Sequence, residues 1–366
     1  MFRDTGGWGR RLLIIAAPAV AAAVLIAPAS SPGQSDRDRL FTTAPLTDYY
    51  DSDATWSPDG RFIAFKRHSD QNELWVVNAD GTQERRLSPD DTDESPPVWS
   101  PDSTRIAYGT FDMGIHVVAR DGTGDTRLTR KFGLPQAWSR NGRRILFVRN
   151  SVFTVDVRTR REVRIRRPPK FFADVGFWAA RWSGDGRWLA MVAESDECAC
   201  GDEHNLLGVT TAAGKRWKTV DYSSIELAHL SFAWAPRGAP RLAIGRRGRL
   251  FLARPRAKRR RVPSGPLPVS AIAWSPGGTK LLWVTRRALY TAAADGRARR
   301  AVITLESLDQ LRGNRAVQPD PEDLEFADVS WVGQKIAFDL RFPCTRRGIH
   351  VVDVQTGTIV RLTNHC

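Results

Sequence analysis

The densest group of chemically competent side chains in this 366-residue chain is "AESDECACGDEHN", residues 193–205. Cys198, Cys200 and His204 stand there among Asp196, Glu197, Asp202 and Glu203, so soft and hard metal ligands share one short stretch. A single C-x-C with one His lacks the paired C-x-x-C spacing of zinc sites, which leaves Cys198, Cys200 and His204 as weak metal candidates. In an oxidising compartment the four cysteines are expected as disulfides, Cys344 with Cys366 and Cys198 with Cys200. The first would pin the C-terminal edge strand and add about 3 kcal/mol. No cofactor is expected.

Arginine supplies the second chemistry. The formal net charge is +15, and only eight of the 55 basic residues are Lys. Three clusters stand out: Arg158, Arg160 and Arg161; Arg254, Arg256, Lys258, Arg259, Arg260 and Arg261; and Arg297, Arg299 and Arg300. Guanidinium forks suit bidentate contacts to phosphate, sulfate or carboxylate, so these residues are the candidate ligand-binding rim. Charge on an exposed edge strand also blocks edge-to-edge aggregation, which is the competing explanation.

No catalytic residues are assigned. The chain has no G-x-S-x-G, H-E-x-x-H or Gly-rich phosphate loop, and its six histidines are scattered. His116 and His350 occupy matching places in two copies of "GIHVV" and are expected as ordinary strand histidines. Asp59, Asp102 and Asp185 sit in turn motifs, where a carboxylate serves as local acceptor.

The N-terminus points to export. A basic leader, the apolar "LLIIAAPAVAAAVLIA" and the site Ala27-Pro28-Ala29 describe a signal peptide over residues 1–29. Pro18 and the short apolar length argue against a permanent span, with an uncleaved membrane anchor as the alternative. A linker, 30–50, follows. Export demotes nucleic acid as the natural partner despite the charge.

The elements that must position these groups come from a repeat. Trp56, Trp99, Trp138, Trp182, Trp234, Trp274 and Trp331 each head a copy of "WSPDGRFIAF", mostly 39 to 44 residues apart. In Ser57-Pro58-Asp59-Gly60 the Pro presets φ and Gly takes the positive φ that closes a turn between two antiparallel strands. "ELWVVNA", an Asp80-Gly81 turn and "QERRLS" add two more strands, and periods near 40 to 45 with four strands are propeller blades.

W-S-P-D-G, I-A-F, a D-G turn and R-L-T, recurring in that order, resemble the PD40 (WD40-like) repeat of TolB-like propellers over residues 54–366. The fifth and seventh copies are degenerate, with Ala235, Arg237 and Gly333 replacing motif residues. The resemblance implies an all-β fold with residues 51–366 forming seven four-stranded antiparallel blades, or six if the fifth copy is not a blade. The last copy holds all four of its own strands, so the ring need not borrow one from the N-terminus. Two insertions break the repeat, the Cys-bearing stretch and 304–327. The expected function is an exported, non-catalytic, monomeric module. It is secreted, periplasmic or in the cell envelope, and binds a protein or an anionic envelope polymer. A lyase or hydrolase acting on an anionic polysaccharide through the channel is the alternative.

Overall fold

The computed structural model describes residues 50–69, 72–88, 92–93, 95–111, 114–165, 176–195, 204–223, 230–246, 249–255, 257–264, 269–285, 287–304, 325–341 and 348–363. Their strands form seven four-stranded antiparallel sheets, and no described residue is helical. Each sheet is built from four consecutive strands, so all seven repeats, including the degenerate fifth, are blades. Blade 1 comprises β1 (Tyr50–Trp56), β2 (Phe62–His68), β3 (Asn72–Asn78) and β4 (Arg85–Arg86). Blade 7 runs from Glu325–Val332 to Ile359–Arg361. The ring therefore closes without strand exchange.

The motif residues act locally, as their types dictate. The Ser57 hydroxyl donates to Asp59 Oδ1 (2.6 Å) and accepts from the Phe62 amide (3.0 Å), while the Gly60 amide donates to the Ser57 carbonyl (2.9 Å). Gly60 has φ +73°, the left-handed region that glycine enters without a Cβ penalty. Ser100 with Asp102 and Ser183 with Asp185 repeat the Ser–Asp bond at 2.6 Å, so the motif aspartates are turn acceptors. In R-L-[S/T], the Ser88, Thr129 and Thr363 hydroxyls accept the amides of Leu74, Ile115 and Ile349 at 2.9 to 3.1 Å. This bond ties the outer edge of three blades to the neighbouring strand.

The core lies between blades, not within them. Ile63 and Phe65 of blade 1 pack on Ala337, Ile349 and Val351 of blade 7, while Ala64 and Val76 pack on Ile106 and Tyr108 of blade 2. A lone blade would expose both faces, so each is stable only between neighbours. The repeat tryptophans also carry polar bonds across these seams. The Trp99 indole donates to the Thr55 carbonyl (3.0 Å), Trp138 to Val98 (2.9 Å), Trp234 to Arg181 (3.1 Å) and Trp274 to Ala233 (3.0 Å). Each acceptor immediately precedes the Trp of the preceding blade.

Among the described residues Trp182 of blade 4 makes no such bond, and the series ends before blade 7. Its "SWVGQK" replaces the longer turn by a tight one, and the Trp331 indole donates to the Gly333 carbonyl of its own turn (3.1 Å). Side chains of blade 7 instead hold the backbone of blade 1. The Trp56 amide donates to Ser330 Oγ (3.0 Å), and the Asp53 amide donates to the buried Asp339 Oδ2 (2.8 Å). A bulge in β1 makes the second bond possible. Ser52 pairs with Lys66 and Thr55 with Ala64, so Asp53 and Ala54 together oppose Phe65, and Asp53 adopts φ +58°.

Candidate functional site

The described members of the expected basic rim are all exposed; Arg256 lies outside the described residues. Several are already engaged. Arg260 of blade 5 donates to the Asp295 carbonyl of blade 6, and Arg300 of blade 6 donates to the Val354 carbonyl of blade 7. Arg259 lies over Phe251 (4.8 Å to the ring centroid), Arg299 over Tyr290 (5.3 Å), and Arg297 is 3.6 Å from Asp295. These contacts hold the outer strands to their neighbours, a structural role beside any ligand role. Arg158, Arg160 and Arg161 cap the third turn of blade 3. There Asp156 Oδ1 accepts the amides of Arg158 and Thr159, and Arg160 takes φ +58°. Backbone and hydroxyl bonds from Thr159 hold the Asp156 carboxyl below its usual range.

Arg160 opens onto a cavity of about 800 Å³, which is lined by Arg127, Arg130, Lys131, Arg149 and Glu162 together with Leu128 and Thr129. Five cations meet one carboxylate there, across the junction of blades 2 and 3. Two of the cations are committed to holding the segment between the blades. Arg127 donates to the Thr129 and Arg130 carbonyls (both 2.8 Å), and Arg149 donates to the carbonyls of Phe132 (2.5 Å) and Lys131 (3.1 Å) and to Glu162 (3.0 Å). The segment lies so close to Gly114 that a Cβ there would come within 2.7 Å of the Thr129 and Lys131 carbonyl oxygens. Among the described residues the side chains of Arg130, Lys131 and Arg160 make no hydrogen bond or ion pair.

Beside this cleft, Phe111 and Phe132 are 47% and 38% exposed, with parallel rings (5° between planes, centroids 6.4 Å apart). With Val163 of the adjoining edge strand they are the exposed large hydrophobics of the described residues. A smaller cleft of about 260 Å³ on blade 5 is lined by Arg246, Arg249, Phe251 and Arg259.

Arg160 stands at the third turn of blade 3, where its sequence position puts it, whereas Arg127, Arg130, Lys131, Arg149 and the two phenylalanines were not singled out from the sequence. The available signal was "RLTRKFG", where a second basic pair and an aromatic follow the R-L-T that ends blade 2.

A second polar group was also missed. At the inner end of blade 1, Ser52 Oγ is 2.7 Å from His68 Nε2, and His68 Nδ1 is 2.6 Å from Asn72 Oδ1, with Tyr50 stacked on the imidazole at 4.4 Å. The order Ser–His–Asn resembles a nucleophile relay, yet its surroundings oppose one. Ser52 has one hydroxyl proton, and Asp53 Oδ2 at 3.0 Å competes with His68 for it. The adjacent amide that an oxyanion would need, that of Asp53, is committed to Asp339. Burial lowers the His68 pKa and keeps the ring neutral. Nearby, Arg67 pairs with buried Asp51 (2.9 Å) and with Glu84. Burial opposes its charge, but the two carboxylates outweigh that and raise its pKa. Lys66 donates to the Asp93 carbonyl, while burial pushes the Asp93 carboxyl up and leaves its Oδ2 without a hydrogen bond. This network binds blade 1 to blades 7 and 2.

His116 and His350 are strand histidines, as expected. His116 Nδ1 is 3.0 Å from Asp125, and His350 Nδ1 donates to the Gly348 carbonyl (2.9 Å). Cys198, Cys200, Cys344 and Cys366, and so both expected disulfides, lie outside the described residues, as do residues 1–49 and most of 304–327. His204 begins a strand, His204–Thr211. Among the described residues no group of three His, Cys, Asp or Glu could hold a metal, and no helix is long and apolar enough to cross a membrane.

Comparison with known proteins places the fold. No family model matches the chain. The uncharacterized peptidase YuxL of Bacillus subtilis is 39% identical over 65 residues, 17% of this chain and 10% of YuxL, so the chain matches only about a tenth of that relative's length. Among solved structures, a puromycin-hydrolyzing peptidase of Mycobacterium tuberculosis aligns with TM-score 0.64 and 12% identity, over 94% of this chain and 56% of the peptidase. The β-propeller domain of the Trilobed protease from Pyrococcus furiosus aligns with TM-score 0.59 and 12% identity, over 88% of this chain and 98% of the domain, whose ring is described as having an open velcro topology. At such identities the likeness is one of fold. The chain is a seven-bladed β-propeller whose ring closes without a shared strand.

Proposed function

We propose that the chain is an exported, non-catalytic propeller that binds an anionic polymer or an acidic protein of the cell envelope or extracellular space. The observation that carries this reading is the open cleft between blades 2 and 3, where five cations face a single carboxylate and three of them make no side-chain bond among the described residues. Such a site draws anions in by long-range attraction and holds them by charge-assisted hydrogen bonds. The neighbouring peptidase structures keep a second reading, hydrolysis, in view, but the Ser52 relay lacks an available oxyanion donor at its adjacent amide.

The test is retention of the full chain on an immobilised polyanion across a salt series. Binding at 50 mM salt that is lost by about 500 mM is expected, because the Debye length falls severalfold toward 3 Å at 1 M. Failure to bind any polyanion at low salt would overturn the reading.

A further inference from the structure

The cleft between blades 2 and 3 carries more than charge, and its apolar component narrows the ligand. Two of the three exposed large hydrophobics of the described residues are the parallel pair Phe111 and Phe132. They come from the second turn of blade 2 and the connection to blade 3, which antiparallel strand order puts on one face of the ring. Phe132 directly follows Arg130 and Lys131, whose side chains make no hydrogen bond or ion pair among the described residues, and its carbonyl is held by Arg149. We infer that this junction binds an anionic polysaccharide, with the phenylalanine pair as platform for a sugar ring and Arg130, Lys131 and Arg160 as receptors for its acidic substituents. The inference rests on the polyanion reading above and names the ligand class and the site.

Three features favour a sugar polymer over other polyanions. An acidic peptide is most readily captured by pairing with an open strand edge. The outer strand of blade 2 beside the cleft, Thr126–Arg127, is only two residues long. A pyranose, with apolar C–H faces and charged substituents at its edge, matches an amphipathic surface of aromatic rings bordered by cations. The segment is also preorganised, since Arg127, Arg149 and the Thr129 hydroxyl (2.9 Å to the Lys131 carbonyl) fix its backbone before any ligand arrives.

The experiment compares four probes on the full chain by titration calorimetry: dextran sulfate, dextran, poly-L-glutamate and single-stranded dT20. Two double variants leave the carbonyl-holding arginines intact, R130A/K131A and F111A/F132A, and each is accepted only if its thermal melt matches wild type. Wild type is expected to bind dextran sulfate about tenfold or more tightly than poly-L-glutamate of equal charge, and dextran not measurably. F111A/F132A should remove that tenfold preference while leaving poly-L-glutamate unchanged; R130A/K131A should weaken both. Equal binding of poly-L-glutamate or dT20, or a preference that survives F111A/F132A, overturns the sugar assignment while the polyanion reading stands. Dextran sulfate binding that survives R130A/K131A but is lost in R254A/R261A moves the site to blade 5 and overturns this one. Binding of no charged probe by wild type overturns the polyanion reading itself.

Discussion

The seam between blades 7 and 1 should be the weak point of the ring, and two side chains test this. At the seams of blades 1–2, 2–3, 4–5 and 5–6 the repeat indole donates to the preceding blade; here the buried Trp56 indole has no hydrogen-bond partner among the described residues, and the Asp53 and Trp56 amides depend on Asp339 and Ser330. In S330A/D339A both amides lose their acceptors at a contact otherwise held by apolar packing around Trp56, Phe65, Ile349 and Val351. Each buried, unsatisfied donor costs about 1–3 kcal/mol, so the pair should cost about 2–6 kcal/mol, a large part of the 5–15 kcal/mol typical of a folded domain. The control is S103A, which removes the bond from the Asp59 amide across the seam of blades 1 and 2 (3.0 Å), where the Trp99 indole bond remains. Native-state hydrogen exchange read by mass spectrometry is the assay. Peptides covering 50–56 and 325–341 should exchange at least about thirtyfold faster in S330A/D339A, since 1.4 kcal/mol is a factor of ten. Blades 3 to 5 should stay protected. A loss no greater than in S103A, or exchange that rises evenly around the ring, would show that the seam is not the weak point.

Two further outcomes follow from single residues. Burial, with Arg361 nearby, lowers the His350 pKa from 6.5 to about 3. Between those values the unfolded chain takes up a proton that the folded state refuses, so stability should fall as pH drops below 6.5, by up to about 1.4 kcal/mol per pH unit. Urea unfolding of H350F, which keeps the stack on Phe338 (centroids 5.6 Å apart in the native protein), should show a shallower acid dependence; an unchanged slope would assign the effect elsewhere. Ser52 should resist a fluorophosphonate probe at pH 8, because its hydroxyl is shared with Asp53 and the Asp53 amide is occupied. Stoichiometric labelling of wild type that disappears in S52A would instead establish a nucleophile.

What was legible in the sequence divides by range. Ser57, Asp59 and Gly60 satisfy one another within a few residues, so their types alone declared the turn, and repetition declared the propeller. The bond from Arg to the carbonyl two residues on in R-L-[S/T] is local in the same way. The site was less legible because it is made between repeats. Arg127 and Arg149 converge on one segment from two blades, and Phe111 meets Phe132 across a strand pair. Arg260 and Arg300, conspicuous in the sequence as free charge, turn out to hold the carbonyls of the next blade. The Ser52–His68–Asn72 arrangement depends on a bulge that no spacing rule reveals.

The backward direction of the indole bonds has a consequence for how such rings change size. Trp99, Trp138, Trp234 and Trp274 each address a carbonyl one blade earlier and none farther away. A duplicated blade would bring its own donor and find an acceptor in the copy before it, leaving every internal bond of this series intact. Only the first and last members need to know that they are the ends, and here they carry the private pairs of Asp53 with Asp339 and Trp56 with Ser330. Gene duplication can thus lengthen the array through its interior, while the closing pairs stay with the two terminal blades that must still meet.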